Sequence, residues 1–468
     1  MVAKDPVDKL THALCGLGRP FETLNSKRKL FYYHSVTPQY RTRGVNMLYA
    51  QRTAMPRSPT SDRCDQLIFR GNLSKSFQSF FIETMELILT HTGRLNFTQL
   101  ARCGRSCESR FRQNFRKSFD WLSFNRSFLE STKGHRIAIA IDPCYISKSG
   151  KKTPGIDWFW SGCAAAMKKG LEILGISIVD ADAKDSVFLK AEQTFTDKKR
   201  GRKPDCTKGM KDSDSLTGWY LRMLNRNCKQ LLSICKLIVA DAYFSKESFV
   251  SGVKSMGFNL ISRFRDDVNL KYLYSGPKTG KRGRPQKFAG KVDVNNLDMN
   301  IFSEDYTAEG KLVYKMYTAV VWAVSLGCEV RVVLVDYEDA EKKRQTRKVF
   351  FSTDASMSAR DIFDIYRTRF QLEFVFRDAK QFTGLTHCQA RNKEALSFAF
   401  NASLTSVNLA RAFARQQGMA LSVGSTKTLL HNAAMVDRFI AMSGKSPNMR
   451  LNNTDFKELL FYGVRAAV

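Results

Sequence analysis

Two apolar runs in this sequence end in a carboxylate: HRIAIAID, closing at Asp142, and KLIVAD, closing at Asp241. Each aspartate alone fits a turn residue at a strand end. If the two strands are neighbours in one sheet, the carboxylates converge at its edge. Two carboxylates forced together repel, so such a pair calls for a cation. Mg²⁺ takes hard oxygen ligands, with phosphate and water completing its shell. A third carboxylate, from a helix packed beside the sheet, would complete a two-ion site for in-line attack on a phosphodiester. Glu373 is the candidate for that role.

Glu373 lies within Asp361 to Phe382, DIFDIYRTRFQLEFVFRDAKQF, which holds no Pro or Gly and reads as one helix of some six turns. Ile362, Ile365, Leu372, Phe376 and Ala379 form a stripe at helical spacing, predicted to be buried. Tyr366, Arg369, Glu373 and Lys380 form a second row, close to one line along the helix. That row fits an ordinary solvated face as well as a functional one, and the upstream aspartates favour the second reading.

The elements that must position these residues follow from pattern. His135–Asp142, Trp158–Met167 and Leu171–Val179 read as three strands of a meander. Leu216–Leu232 reads as a helix, Lys236–Asp241 as a strand, Ser245–Met256 as a helix and Phe258–Ser262 as a strand. That order is the layout of a ribonuclease H-like α/β core. The expected organisation is a basic, disordered leader over 1–65, a helical DNA-binding domain over 66–130 and the first part of the core over 131–263. A β-rich insertion over 264–350, the catalytic Glu helix over 351–392 and C-terminal helices over 393–468 follow. The gap of 132 residues from 241 to 373, against 99 from 142 to 241, is what requires the insertion.

Within 66–130, NFTQLARCGRSCESRFRQNFRKSF reads as a short helix N-capped by Thr98, a turn at Gly104 and a basic helix from about Ser106. Arg110 and Arg112 face outward there, with Phe111 and Phe115 inward. This resembles a helix-turn-helix, although any small helical bundle could share the pattern. KKRGRKP (with Arg200 and Arg202) and KRGRPQK (with Arg282 and Arg284) read as basic loops with an AT-hook-like Gly between arginines. Trp322 lies in an alternating apolar run; core packing is the first reading and stacking on an unpaired base the second.

Lys and Arg number 75 against 44 acidic residues, a net charge of +31. That excess points to a polyanionic partner, nucleic acid before membrane. No apolar run approaches the ~20 residues of a membrane span, and the N-terminus has no signal-peptide core. The 11 cysteines form no CxxC pair, and neither cysteines nor histidines fall at zinc-site spacing. Reduced thiols in a cytoplasmic protein are the expectation.

The spacing Tyr366-x2-Arg369-x3-Glu373-x6-Lys380 resembles the Y-R-E-K signature of bacterial DDE transposases of the insertion sequence 4 group. FFSTD at 350–354 and DAYF at 241–244 also look like that group, and the similarity covers roughly residues 66 to 440. The resemblance implies a ribonuclease H-like catalytic domain with Asp142, Asp241 and Glu373 as the metal-binding catalytic triad. It implies two Mg²⁺ ions, with Mn²⁺ as a substitute. Tyr366, Arg369 and Lys380 would grip DNA phosphates near the cleaved end. The partners it implies are double-stranded DNA, at element ends and target, and a second copy of the chain in a homodimer. A bacterial cytoplasmic location, on the nucleoid when DNA is bound, follows. A nuclease or resolvase on the same fold, and an inactive DNA-binding derivative, are the alternatives.

Overall fold

The computed structural model describes residues 73–132, 134–195, 215–277, 285–309, 312–339, 344–443 and 454–465. The expected leader, and the loops carrying Arg200, Arg202, Arg282 and Arg284, lie outside the described residues.

The described chain opens with α1 (Lys75–Thr90), capped by the Ser74 side chain, which accepts from the Phe77 amide. α2 (Phe97–Cys103) and α3 (Glu108–Asn114) follow. The cap of α2 is Asn96, whose side chain accepts from the Gln99 amide at 2.9 Å, not Thr98 as expected. Thr98 instead donates to Glu108 at 3.0 Å, because it already lies inside the first helical turn. Glu83 of α1 is buried and holds the turn between α2 and α3, accepting from the Ser106 amide at 2.8 Å and the Ser106 hydroxyl at 2.6 Å. α4 (Trp121–Arg126) leads into a 3₁₀ turn, Ser127–Thr132.

Then come β1 (Ile137–Ser147), β2 (Asp157–Ser161), β3 (Ala166–Asp180) and β4 (Asp185–Gln193). The strand expected over Trp158–Met167 is a hairpin instead. The chain turns at Gly162–Ala164, and Ala165 takes a left-handed φ of 45°, a conformation its side chain gives no hint of. Strand β4 had no counterpart in the sequence reading. α5 (Leu216–Arg226), α6 (Cys228–Leu232), β5 (Leu237–Val239), α7 (Glu247–Ser255) and β6 (Asn259–Arg263) then follow the expected order. The insertion carries β7 (Leu270–Leu273), β8 (Phe288–Lys291), β9 (Ser303–Glu309), β10 (Leu312–Ala323), β11 (Cys328–Asp339) and β12 (Arg344–Ser352). Five helices close the described chain: α8 (Ala359–Thr368), α9 (Gln371–Gln381), α10 (Lys393–Gln416), α11 (Val423–Ser443) and α12 (Thr454–Phe461).

Among the described residues the strands form one mostly antiparallel sheet, in the order β2-β3-β1-β5-β6-β12-β11-β10-β7-β8, with β4 beside β3 and β9 beside β10. Parallel pairing is confined to β1–β5 and β5–β6. Helices cover both faces, giving a mixed α/β architecture consistent with a DDE nuclease fold. One core lies under α8, α9 and α10, the other under α5 and α7. The N-terminal helices share the first core: Phe398 of α10 meets the rings of Phe115 and Trp121 at 4.6 and 5.0 Å.

The expected six-turn helix is two helices, α8 and α9, broken at Arg369–Phe370. The Thr368 hydroxyl donates back to the Asp364 carbonyl at 2.8 Å, a bond that bends helices. The Arg369 amide then reaches Tyr366 at 3.2 Å and the Glu373 amide reaches Phe370 at 2.9 Å, both three residues back. The stripe survives the break. Ile362, Ile365, Leu372, Phe376 and Ala379 are all buried, and each large side chain among them contributes about 1.5–3 kcal/mol.

Candidate active site

β1 and β5 pair in parallel with Ile139 opposite Ile238 and Ala140 opposite Val239. The same offset carries Asp142 alongside Asp241, just beyond the paired residues. Side chains alternate along a strand. Ala138, Ala140 and Cys144 of β1 and Val239 of β5 all enter the core beneath α8 and α9, so both aspartates face those helices. The next strand continues the row, since Val239 pairs with Ile261 of β6 and the offset brings Arg263 beside Asp241.

Helix α9 sits close over this row. Gly175, cross-strand from Asp142, is what allows it: a Cβ there would lie 2.5 Å from Phe376. Arg369, at the α8–α9 junction, joins helix to sheet. Its Nη2 donates to Glu373 Oε1 at 2.8 Å, and its Nη1 lies 3.7 Å from Asp142 Oδ1. Arg369 is only 14% exposed, whereas Glu373 is 51% exposed. Two guanidinium nitrogens of Arg369, Nε and Nη1, have no hydrogen-bond partner among the described residues.

The charges show how crowded the site is. Burial pushes the Asp142 carboxyl up to about 8; Arg369 pulls it down, and the Asp241 and Glu373 carboxylates push it further up. Asp241 is also raised, by burial first, with Arg369 and the Tyr243 amide opposing and Glu373 adding. Burial works to lower the Arg369 guanidinium, but Asp142, Glu373 and Tyr366 outweigh it and hold it above its usual value. Burial, ahead of the neighbouring charges, is thus what raises both aspartates.

Tyr366 packs its half-buried ring against Phe350 at 4.8 Å, and the Arg369 guanidinium lies 5.9 Å from its centroid. Lys380 approaches β1 at Cys144: burial pushes that thiol up to about 11, with Lys380 pulling against it. Tyr366, Arg369 and Glu373 thus gather over the two aspartates despite the helix break, while Lys380 lies further along β1, at Cys144. Asp241 also shapes its own loop, accepting from the Tyr243 amide at 3.0 Å.

Arg110 and Arg112 are elsewhere. Arg110 donates to the Ser76 carbonyl at 3.1 Å, and Arg112 pairs with Glu108. Arg112 lines a cleft of about 450 Å³ between α2, α3 and the start of α10, together with Arg116 and Arg391. Trp322 is neither core nor free: it is half-buried, 5.6 Å from the Phe288 ring, with Lys287 Nζ 3.4 Å from its centroid. Arg263 was missed by the sequence reading; its Nε is buried with no hydrogen-bond partner among the described residues, and its charge acts on Asp241.

Among the described residues, no three His, Cys, Asp or Glu side chains stand close enough to hold a metal ion together. The donor set nevertheless fits a hard divalent cation. It offers the hard carboxylate oxygens of Asp142, Asp241 and Glu373.

Residues 119–307 match the family described as DDE superfamily endonuclease. The matched segment contains Asp142 and Asp241 and ends before Glu373. It supports a DDE-type endonuclease or transposase acting on DNA, a class that generally uses divalent metal ions. No curated protein matches the chain. No helix among the described residues is long and apolar enough to cross a membrane.

Proposed function

We propose that the chain is a DNA transposase of the DDE type, of the insertion sequence 4 group. The reading is that it binds the terminal inverted repeats of a mobile element, cleaves the ends and joins the freed 3′-OH to target DNA. The observation that carries it is the row of Asp142 and Asp241 on adjacent parallel strands, with Arg369 tying Glu373 of α9 to Asp142.

On this reading the core is ribonuclease H-like, and the six segments of the sequence reading are its domains. Asp142, Asp241 and Glu373 would hold Mg²⁺, or Mn²⁺ in its place. When bound, the ions would supply charge neutralisation at the scissile phosphate and an activated water. The rest falls to the chain. Arg369 presents a forked donor to a phosphate, Lys380 a point charge and Tyr366 a hydroxyl, all on one side of the aspartates. Arg110, Arg112 and the basic loops holding Arg200, Arg202, Arg282 and Arg284 bind the duplex away from the chemistry. Work on two DNA ends calls for a homodimer. Met435, Phe439 and Met442 of α11, spaced along one side and 44%, 72% and 59% exposed, support an interface there. The proposed location is the bacterial cytoplasm, on the nucleoid when DNA is bound.

The test supplies purified protein, Mg²⁺ and DNA carrying the element's terminal repeats, and follows both cleaved and joined products. Joined products are expected. Cleavage without joining would replace this reading with a nuclease or resolvase on the same fold, and absence of both would leave a DNA-binding derivative.

A further inference from the structure

The hairpin of β2 and β3 turns two tryptophans to water. Trp158 is 55% and Trp160 59% exposed, beside Met167 at 36%. Cross-strand pairing sets Trp158 opposite Lys169 and Trp160 opposite Met167, so the four side chains share one face of the hairpin. The other face is anchored, with Phe159 only 4% exposed. The hairpin is also seated firmly on β1. Tyr145 donates its hydroxyl to the Lys169 carbonyl at 2.8 Å, and a Cβ on Gly170 would lie 2.5 Å from the Ile146 carbonyl. A rigid strand that keeps two indoles in water is an interaction surface rather than a packing accident.

Its charge identifies the partner. Residues 148–170 contain Lys148, Lys151, Lys152, Lys168 and Lys169 against one carboxylate, Asp157. None of Lys151, Lys152, Lys168 and Lys169 makes an ion pair among the described residues, and neither tryptophan stacks on another ring there. Exposed aromatics within uncompensated cationic charge are what unpaired nucleic acid requires: bases stack on the rings while the ammonium groups meet phosphates. Residues two apart on a strand are ~6.6 Å apart, about twice the ~3.4 Å rise between stacked bases. Trp158 and Trp160, on one face and about two base steps apart along the backbone, offer neighbouring rings to successive bases.

Strand β3 connects this platform to the aspartates. Leu171 and Ile173 enter the core beneath α9, on the side of Gly175 and Asp142, and alternation puts Lys169 and Met167 on that side too. Six residues separate Lys169 from Gly175, ~20 Å along the strand. We infer that the β2–β3 hairpin binds an unpaired stretch of the DNA strand leaving the site, by stacking its bases on Trp158 and Trp160. This rests on the reading of DNA as the substrate.

The test measures fluorescence anisotropy of the full chain with two labelled probes. One is a blunt duplex of about 20 base pairs, the other the same duplex with an unpaired tail of about ten nucleotides. The wild-type chain is expected to prefer the tailed probe. Replacing both tryptophans by alanine is expected to weaken tailed binding roughly 5- to 150-fold and blunt binding less than about twofold. Trp158→Phe with Trp160→Phe, which keeps ring faces, should restore most of the preference. Equal loss on both probes, or no preference in the wild type, overturns the hairpin assignment while leaving DNA as the substrate. Failure of the wild type to bind either probe removes the DNA reading and this inference with it. If the double alanine variant instead turns a dimer into a monomer in sedimentation, the platform is a protein interface and the inference is wrong.

Discussion

At the scale of single residues, the site is held under electrostatic stress. Asp142 has 16% of its side chain exposed, and its carboxyl is pushed up to about 8, from an ordinary 3.8, by burial ahead of its neighbours' charges. A folded-state value above the unfolded one means the unfolded chain releases its proton first as pH rises. In a chelator, the stability that Asp142 permits is full below 3.8 and is lost progressively until pH passes about 8. Asp142→Asn should therefore raise stability by about 1–3 kcal/mol near pH 8 and change it little near pH 4. Thermal melts at the two pH values measure this, and an equal effect at both would contradict the assigned burial. Asp241 was legible because an apolar run closing on a carboxylate marks a strand end; Asp142 was found by the same pattern, yet it lies inside β1, which runs on to Ser147 against β3 rather than ending at the carboxylate as expected. Arg263 was not, although it also ends an apolar run. Its relation to Asp241 exists only in the pairing of β5 with β6, which local pattern does not encode.

At the scale of elements, α9 is positioned by fit against β3 more than by its own sequence. Gly175 leaves the space that Phe376 fills, so any side chain there meets the end of the Phe376 ring, which must turn aside or carry α9, and Glu373 with it, away from the aspartates. Gly175→Val should cost about 1–3 kcal/mol by overpacking and lower DNA cleavage more than DNA binding. A variant that melts lower yet cleaves at the wild-type rate would show that the contact does not position Glu373. The buried stripe of α8 and α9 was readable from spacing, and it survives. The break between them was not: it consists of two turns tightened to three-residue bonds, beside a threonine back-bond of a kind that α1 and α10 carry without breaking. The β2–β3 hairpin was missed although Ser161-Gly162 interrupts the apolar run WFWSGCAAAM; the chain folds back there through the turn Gly162–Ala164 and a left-handed Ala165.

At the scale of the whole molecule, the insertion does not stand apart from the core but lengthens its sheet. Phe350, Phe351 and Ser352 of β12 pair with Arg263, Ser262 and Ile261 of β6. The strand-like character of that region was visible in its alternation, but its docking edge was not, since it depends on pairings across some 90 residues. The same sheet sets Asp142 and Asp241, 99 residues apart in the chain, on neighbouring strands, and α9 adds Glu373, 132 residues further on, through its bond to Arg369. Their convergence is the central claim, and the rate of Mg²⁺-dependent DNA cleavage tests it most directly. Asp142→Ala, Asp241→Ala and Glu373→Ala, compared one at a time with the wild type, should each lower that rate by about 10³-fold or more, with DNA affinity nearly unchanged. Any one of the three cleaving within about tenfold of the wild type would contradict the assignment of that carboxylate to the site.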